Sequence, residues 1–211
     1  MNYLFIINPK SGVRHPIQKI ISKIKTVFNG QSNHSYTIVY SEYAGHARKI
    51  AESAILDDMD VVVAAGGDGT MNEVCSALVN TNTSFGLIPM GSGNGFARSL
   101  NIPLNFENSV NCLMKGSINL IDVGKIGDRY FFGVAGFSLD ATIGAKFDTY
   151  GHRGPLPYFY LGLREFFNYK YEEFELTFED INIITKPLIL TVANTSQYGN
   201  GASIAPQANY S

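Results

Sequence analysis

Three glycine-rich stretches, each directly after a short apolar run, hold the residues best suited to chemistry. Asn8-Pro9-Lys10-Ser11-Gly12 follows the run Tyr3–Ile7. Gly66-Gly67-Asp68-Gly69-Thr70 follows Val61–Ala65, with Met71-Asn72-Glu73 next, and Gly91-Ser92-Gly93-Asn94-Gly95 follows Phe85–Pro89. Glycine lets backbone N–H groups approach a polyphosphate closely, and a helix N-terminus adds a favourable dipole. Ser11, Thr70 and Ser92 supply hydroxyl donors and Lys10 a positive charge. Each loop taken singly also fits an ordinary strand-to-helix turn; three at strand carboxyl ends favour a phosphate site. The pattern G-x-x-x-x-G-K-[ST] is absent, which excludes a P-loop. Nor does G-x-G-x-x-G occur: residues 91–96 read GSGNGF and 67–72 read GDGTMN, against a dinucleotide oxidoreductase.

The elements that must hold these loops alternate along the first half of the chain. Tyr3–Ile7 is long enough for a buried strand and too short for a helix. Pro16–Phe28 places Ile17, Ile20, Ile21, Ile24, Val27 and Phe28 on one face, opened by proline and closed near Gly30, as a helix requires. Tyr36–Tyr40 reads as a strand, Gly45–Leu56 as a helix, Val61–Ala65 as a β-branched strand covered on both faces, Thr70–Val79 as a helix and Phe85–Pro89 as a strand. That order predicts an α/β, doubly wound, Rossmann-like parallel sheet over residues 1–117. The second half changes character. Asn119–Ile126 and Arg129–Val134 read as strands joined through Gly127-Asp128, Pro155–Tyr171 as an aromatic helix, and Phe174–Glu179, Asn182–Thr185 and Leu188–Ala193 as further strands. Residues 118–211 are therefore expected to form a β-rich, sandwich-like second domain, incomplete at its C-terminal end.

Composition narrows the class. The chain has 211 residues, of which 45% are hydrophobic, and sixteen Lys+Arg against eighteen Asp+Glu, so it has the apolar content of a folded chain and no general attraction to nucleic acid. No run reaches about 18 apolar residues, and the apolar N-terminus stops at Asn8-Pro9 without a basic lead. A cytoplasmic protein is the expectation. Cys75 and Cys112 have neither metal nor redox spacing, and His15, His34, His46 and His152 share no common spacing.

At Asn8–Gly12, Gly66–Glu73 and Gly91–Arg98 the sequence resembles the diacylglycerol-kinase-type catalytic domain, which includes bacterial lipid kinases, sphingosine kinases and ceramide kinases. Fainter likenesses are Asp122-Val123-Gly124, Gly136–Ala141, and Asn194–Gly201 with Ile204-Ala205-Pro206. NAD kinases and phosphofructokinases carry loops similar to GGDGT. The resemblance implies ATP-dependent, Mg²⁺-assisted phosphorylation of a lipid hydroxyl, with a nucleotide site between two domains. It places Asn8, Pro9, Lys10, Ser11, Gly12, Ser41, Gly67–Glu73 and Ser92 against ATP. Ser41 also fits a helix N-cap. Asp68 can bind Mg²⁺ directly or through water, act as a base, or satisfy N–H groups of its turn. Glu73 can order the loop or neutralise a helix N-terminus. Asp122 is a second magnesium-facing carboxylate or a salt-bridged strand residue, and Asp140 a helix cap.

The resemblance also implies partners: ATP, a lipid at the inner face of a membrane, and no nucleic acid; a homodimer is compatible with it. Lys146, His152 and Arg153 beside Tyr158-Phe159-Tyr160-Leu161 fit either an interfacial element or an ordinary buried helix. Family members run to around 300 residues, so a general base is expected beyond Ser211. Two other functions stay open: a soluble NAD-type kinase, and a non-catalytic nucleotide-binding module. Phosphorylation of NAD alone marks the first, and ATP binding without turnover the second.

Overall fold

The structure is a computed structural model that describes residues 1–11, 17–149, 155–179, 181–199 and 202–208. Pro16, His15, His152, Arg153 and the proposed ATP contact Gly12 lie outside these. Two compact units form, Met1–Gly133 with Asn194–Ser211, and Val134–Ala193.

The first unit begins β1 (Asn2–Ile7), α1 (Ile17–Phe28), β2 (Ser35–Tyr40), α2 (His46–Leu56), β3 (Val61–Gly66), α3 (Asp68–Leu78), β4 (Ser84–Pro89), α4 (Gly95–Ser99) and α5 (Phe106–Lys115). Its sheet is parallel, in the order β2-β1-β3-β4. The register pairs Ile7 with Tyr40 on one side and with Ala65 on the other, which brings the ends of β1, β2 and β3 level. Central position explains composition: β3 is buried along its whole length and β1 from Tyr3 onward, whereas β2 alternates between half-buried and exposed.

Alternate residues of β1 and β3 feed two cores, as period-two side chains must. Leu4, Ile6, Val62 and Ala64 pack with Ala47, Ala51, Met71, Val74 and Phe96 from α2, α3 and α4. Tyr3, Phe5, Ile7, Val61, Val63 and Ala65 pack with Ile20, Ile24, Phe28 and Val110 from α1 and α5 on the opposite face. The sheet is thus covered on both faces, the doubly wound α/β arrangement that the sequence predicts. Strand order reverses between β1 and β3, and in such sheets the crevice beyond the strand ends at that point is where ligands sit.

The same unit continues with β5 (Gly124–Ile126) and β6 (Arg129–Phe131), an antiparallel hairpin turned by Gly127, whose φ is +54. The expected strand over Asn119–Ile126 is therefore only three residues long. Residues 117–123 carry no regular structure: Leu120 is 93% exposed, while Ile121 and Val123 pack against the core. Arg129–Val134 is likewise broken at Phe132-Gly133.

The second unit is built from β7 (Val134–Gly136), α6 (Leu139–Thr149), α7 (Pro155–Asn168), β8 (Phe174–Phe178), β9 (Ile181–Thr185) and β10 (Thr191–Ala193). Antiparallel pairs join β7 to β10 and β8 to β9. The strand expected over Leu188–Ala193 shortens to β10. Leu139, Ile143 and Leu161 make a small core with Leu188, while Lys146 and Arg164 both ion-pair with Glu165, which is 7% exposed. Those cations hold the Glu165 carboxyl below the ordinary carboxylate range, Lys146 first. Leu161 is buried, and Tyr160, Leu163, Phe166 and Phe167 are exposed. Asp140 is the second residue of α6. The chain then re-enters the first unit through β11 (Gln197–Gly199) and β12 (Ala202–Ser203), and β11 lies against α4. The fold is thus a parallel α/β sheet followed by a β-rich C-terminal part that also carries two helices.

Candidate functional site

Beyond the ends of β1 and β3, the first two glycine loops are tied to each other. The Asn8 backbone N–H donates to Ala65 O at 2.9 Å, its Nδ2 donates to Thr70 Oγ1 at 2.9 Å, and its Oδ1 accepts from the Lys10 N–H at 2.9 Å. Ser11 Oγ accepts from the Gly67 N–H at 3.3 Å. Asn8, Ser11 and Thr70 therefore spend polar atoms on holding the loops in place. Lys10 is exposed and its Nζ donates to Glu42 O at 3.2 Å, while Pro9 lies exposed beside it.

The loop after β4 closes over the one after β3. Met90 N–H donates to Gly66 O at 2.7 Å, the last rung between the strands. A Cβ built on Gly91 would stand 2.7 Å from Gly67 Cα, so the two loops touch through glycines and admit no side chain there. Asn94 adopts the left-handed region, with φ +50. Its Oδ1 accepts from the Gly91 N–H at 2.9 Å and its Nδ2 donates to Gly91 O at 2.7 Å, closing the turn on itself. Ser92 is exposed at the tip of this turn, next to Gly93.

Asp68 starts α3, whose Gly67 N-cap contributes no side-chain hydrogen bond. Its carboxyl faces the 91–96 loop: a Cβ on Gly93 would lie 3.3 Å from Asp68 Oδ2. Burial on that side pushes the carboxyl above the ordinary carboxylate range. The N–H groups of Phe96, Asn94, Asp68 itself and Gly95 pull the other way without cancelling it. As a residue Asp68 is nonetheless exposed, so the desolvation is confined to the face turned toward the loop. The aspartate that the sequence marks as chemical thus sits at a helix N-terminus, with one side against the facing loop and another open to water.

Three other candidates fall in different surroundings. Glu73 reaches away from its own helix: Oε1 accepts from the Gly45 N–H at 2.8 Å and Oε2 from the Ala47 N–H at 3.1 Å. It neutralises a helix N-terminus, but that of α2. Ser41 is buried and its N–H donates to Ile7 O at 3.0 Å, which sets it beside the end of β1. The cap position of α2 is Gly45, with φ +85, so the cap role open to Ser41 is not the one it plays. Asn72 is exposed and borders a polar groove of about 310 Å³ with Arg48, Ser76, Asp128, Arg129 and Tyr130. Two residues on from Thr70, it lies about 200° around the helix, away from the Asn8–Thr70 link.

Asp122 is exposed, and its backbone carbonyl accepts from Asn194 Nδ2 at 2.7 Å. Asn194 Nδ2 also donates to Phe132 O at 3.1 Å, and the Asn194 and Thr195 N–H groups both donate to Gly133 O. This clasp, where the chain leaves and re-enters the first unit, carried no assigned role in the sequence reading. Its trace in the sequence is the family likeness at Asp122-Val123-Gly124 and Asn194–Gly201.

A doubly wound domain with glycine loops meeting at its switch point is a frame on which phosphate ligands are held. Comparison with known proteins names the frame. The chain belongs to the diacylglycerol kinase catalytic-domain family, whose profile matches residues 2–126, and residues 133–211 match the YegS C-terminal NAD kinase β-sandwich-like domain. It is 30% identical to a probable lipid kinase YegS-like protein of Pectobacterium atrosepticum, over 97% of this chain and 69% of that one. Identity to the Bacillus subtilis diacylglycerol kinase is 28%, over 97% and 68% of the two chains. A crystal structure of a diacylglycerol kinase from Bacillus anthracis shares the fold, with a TM-score of 0.74 over 96% of this chain and 67% of that one at 24% identity. The chain thus spans about two thirds of the length of these relatives. Among the described residues, no helix is long and apolar enough to cross a membrane.

Proposed function

We propose that this chain provides the nucleotide-binding part of an ATP-dependent lipid kinase, which transfers the γ-phosphoryl group to a hydroxyl of diacylglycerol or a related lipid. The observation that carries the proposal is the meeting of three glycine loops around Asp68 at the switch point of the sheet. Names of relatives support the acceptor class: a probable lipid kinase and a diacylglycerol kinase.

Phosphoryl transfer asks the protein for position and charge more than for covalent chemistry. The backbone N–H groups of Gly69 and Thr70, in the first turn of α3, would receive phosphate oxygens. Lys10 and Ser92, both exposed on flanking loops, add a charge and a hydroxyl to the same end of the sheet. The acceptor oxygen forms its bond to the γ-phosphorus as the bond to the departing ADP oxygen breaks, and the hydroxyl proton passes to a carboxylate or to water.

Among the described residues no three His, Cys, Asp or Glu side chains gather into a cation cage. Mg²⁺ keeps several waters and takes one or two carboxylates together with phosphate oxygens, a role open to the water-exposed side of Asp68 at the start of α3. Asp68 would hold it, with Asp122 as the second carboxylate, and bound there it neutralises charge developing on the phosphate oxygens. The exposed Tyr160, Leu163 and Phe167 on α7 suit contact with a bilayer surface that presents the lipid.

Nucleotide binding tests the proposal first. With Mg²⁺ present, ATP at about 100 times its Kd should stabilise the protein by about 2.7 kcal/mol, read as a rise in melting temperature. NAD at the same concentration should produce no rise. A protein that melts identically with and without ATP does not carry this site.

A further inference from the structure

We infer that Glu73 is a positioning residue of the nucleotide site: it sets the Ser41–Gly45 loop by capping α2 and does not itself touch nucleotide. The inference rests on the nucleotide reading above and assigns a residue's part within it.

Helix α2 begins without any cap of its own. Gly45 precedes it in the left-handed region and offers no side chain, and no acidic residue occupies the first turn. A helix start leaves N–H groups without intrahelical partners and a positive dipole end; the His46 N–H finds Tyr43 O at 3.1 Å, and those of Gly45 and Ala47 are answered from another helix. Both oxygens of Glu73 are engaged, one by Gly45 and one by Ala47, in a part-buried setting where a charged acceptor is worth more than on the surface. One acceptor site on each oxygen, about half of the carboxylate's capacity, is thereby committed to the start of α2.

What the cap holds is the loop between β2 and α2. That loop is fixed at its other points by Ser41 N–H to Ile7 O, by Lys10 Nζ to Glu42 O, and by the Glu42 N–H to His46 Nδ1 at 3.2 Å. Two of these bonds run to β1 or to the loop that follows it, so the Ser41–Gly45 loop is strapped to the first glycine loop on one side and to α3 on the other. Helix α3 therefore serves two neighbours: Asp68 at its start faces the 91–96 loop, and Glu73, five residues on, fixes the 41–45 loop. Removing the Glu73 carboxylate loosens a wall of the site without removing a ligand group.

The test compares wild type, Glu73→Ala and Glu73→Gln in hydrogen exchange of the nucleotide-free protein and in Mg²⁺-ATP titrations with a fluorescent ATP analogue. Exchange at residues 42–47 should quicken by about tenfold or more in the alanine variant, through local opening. ATP affinity should fall by a similar order. Glutamine keeps one good acceptor, so it should restore part of both quantities together, which a residue that touches nucleotide through its charge would not show. ATP affinity lost with exchange unchanged would make Glu73 a direct contact and overturn the inference. Exchange quickened with affinity unchanged would also overturn it, by removing the loop from the site. If wild type binds no ATP, the nucleotide reading itself fails, and the exchange data then report only the cap.

Discussion

Replacing Asp68 with asparagine should cut phosphoryl transfer to lipid by about 10²- to 10⁴-fold, the range for loss of a positioned acid–base or charge-bearing group. The same change should leave the nucleotide-free protein at least as stable as wild type at neutral pH. The second expectation follows from the sign of the pKa shift. Burial against the 91–96 loop raises the Asp68 carboxyl above its ordinary range, so the folded protein prefers it neutral. Its favourable contribution is complete below the ordinary carboxylate range and is lost as pH rises through the raised value. Above that window wild type holds an ionised group that it would bind better protonated. Asparagine, never charged, escapes the cost. Melting curves of both proteins from pH 4 to pH 8 check this: the difference should open in favour of asparagine as pH rises. A variant less stable than wild type at pH 8 would mean that the N–H groups of Asn94, Gly95 and Phe96 outweigh burial. Lost transfer with retained stability is the pattern of a residue kept for chemistry at some expense to the fold.

The second large effect should come from one methyl group. Gly91→Ala puts a Cβ 2.7 Å from Gly67 Cα and 2.8 Å from Asn94 Oδ1. The first of these is backbone and cannot swing aside, so one of the two loops must move. The cost expected of such overpacking is about 1–3 kcal/mol. The functional cost should be larger than the structural one, because the displaced residues are those proposed to face the phosphates. ATP affinity should fall by about tenfold or more, in line with the sensitivity of positioned groups to sub-ångström shifts. Paired denaturation and ATP titration of this variant give the two numbers. Full ATP affinity in a destabilised Gly91→Ala protein would separate the 67–91 contact from the binding site.

How much of this was legible in the sequence depends on the range of the interaction. Strands β1 and β3 were visible because central parallel strands must be apolar on both faces, and Leu4–Ile7 and Val61–Ala65 are. Helix α1 was visible because Ile20, Ile24 and Phe28 repeat at the helical period and are all buried. The stretch from Ile118 to Val123 forms no strand, which the sequence hides because its apolar residues look the same in a strand and in an extended segment that lays Ile121 and Val123 on the core and leaves Leu120 exposed. The break at Phe132-Gly133 carries no local signal, since it reflects the passage of the chain into its second unit. For the site, glycine itself records close approach, so the three loops could be found from composition. What the polar residues of those loops do could not. Asn8 to Thr70 spans 62 residues and Glu73 to Gly45 spans 28, and no local spacing encodes either bond. Several residues first read as ligands, Asn8, Ser11, Thr70, Glu73 and Asn94 among them, turn out to spend hydrogen-bonding atoms on one another or on the backbone.

The central claim is that the acceptor is a lipid and the donor ATP. The most direct measurement supplies γ-labelled ATP, Mg²⁺, diacylglycerol vesicles and NAD together, and follows the label into the organic and aqueous phases. Wild-type protein should place the label in the organic phase, and Asp68→Asn should place almost none there. Label on NAD with a bare organic phase, or equal organic-phase label from both proteins, would contradict it.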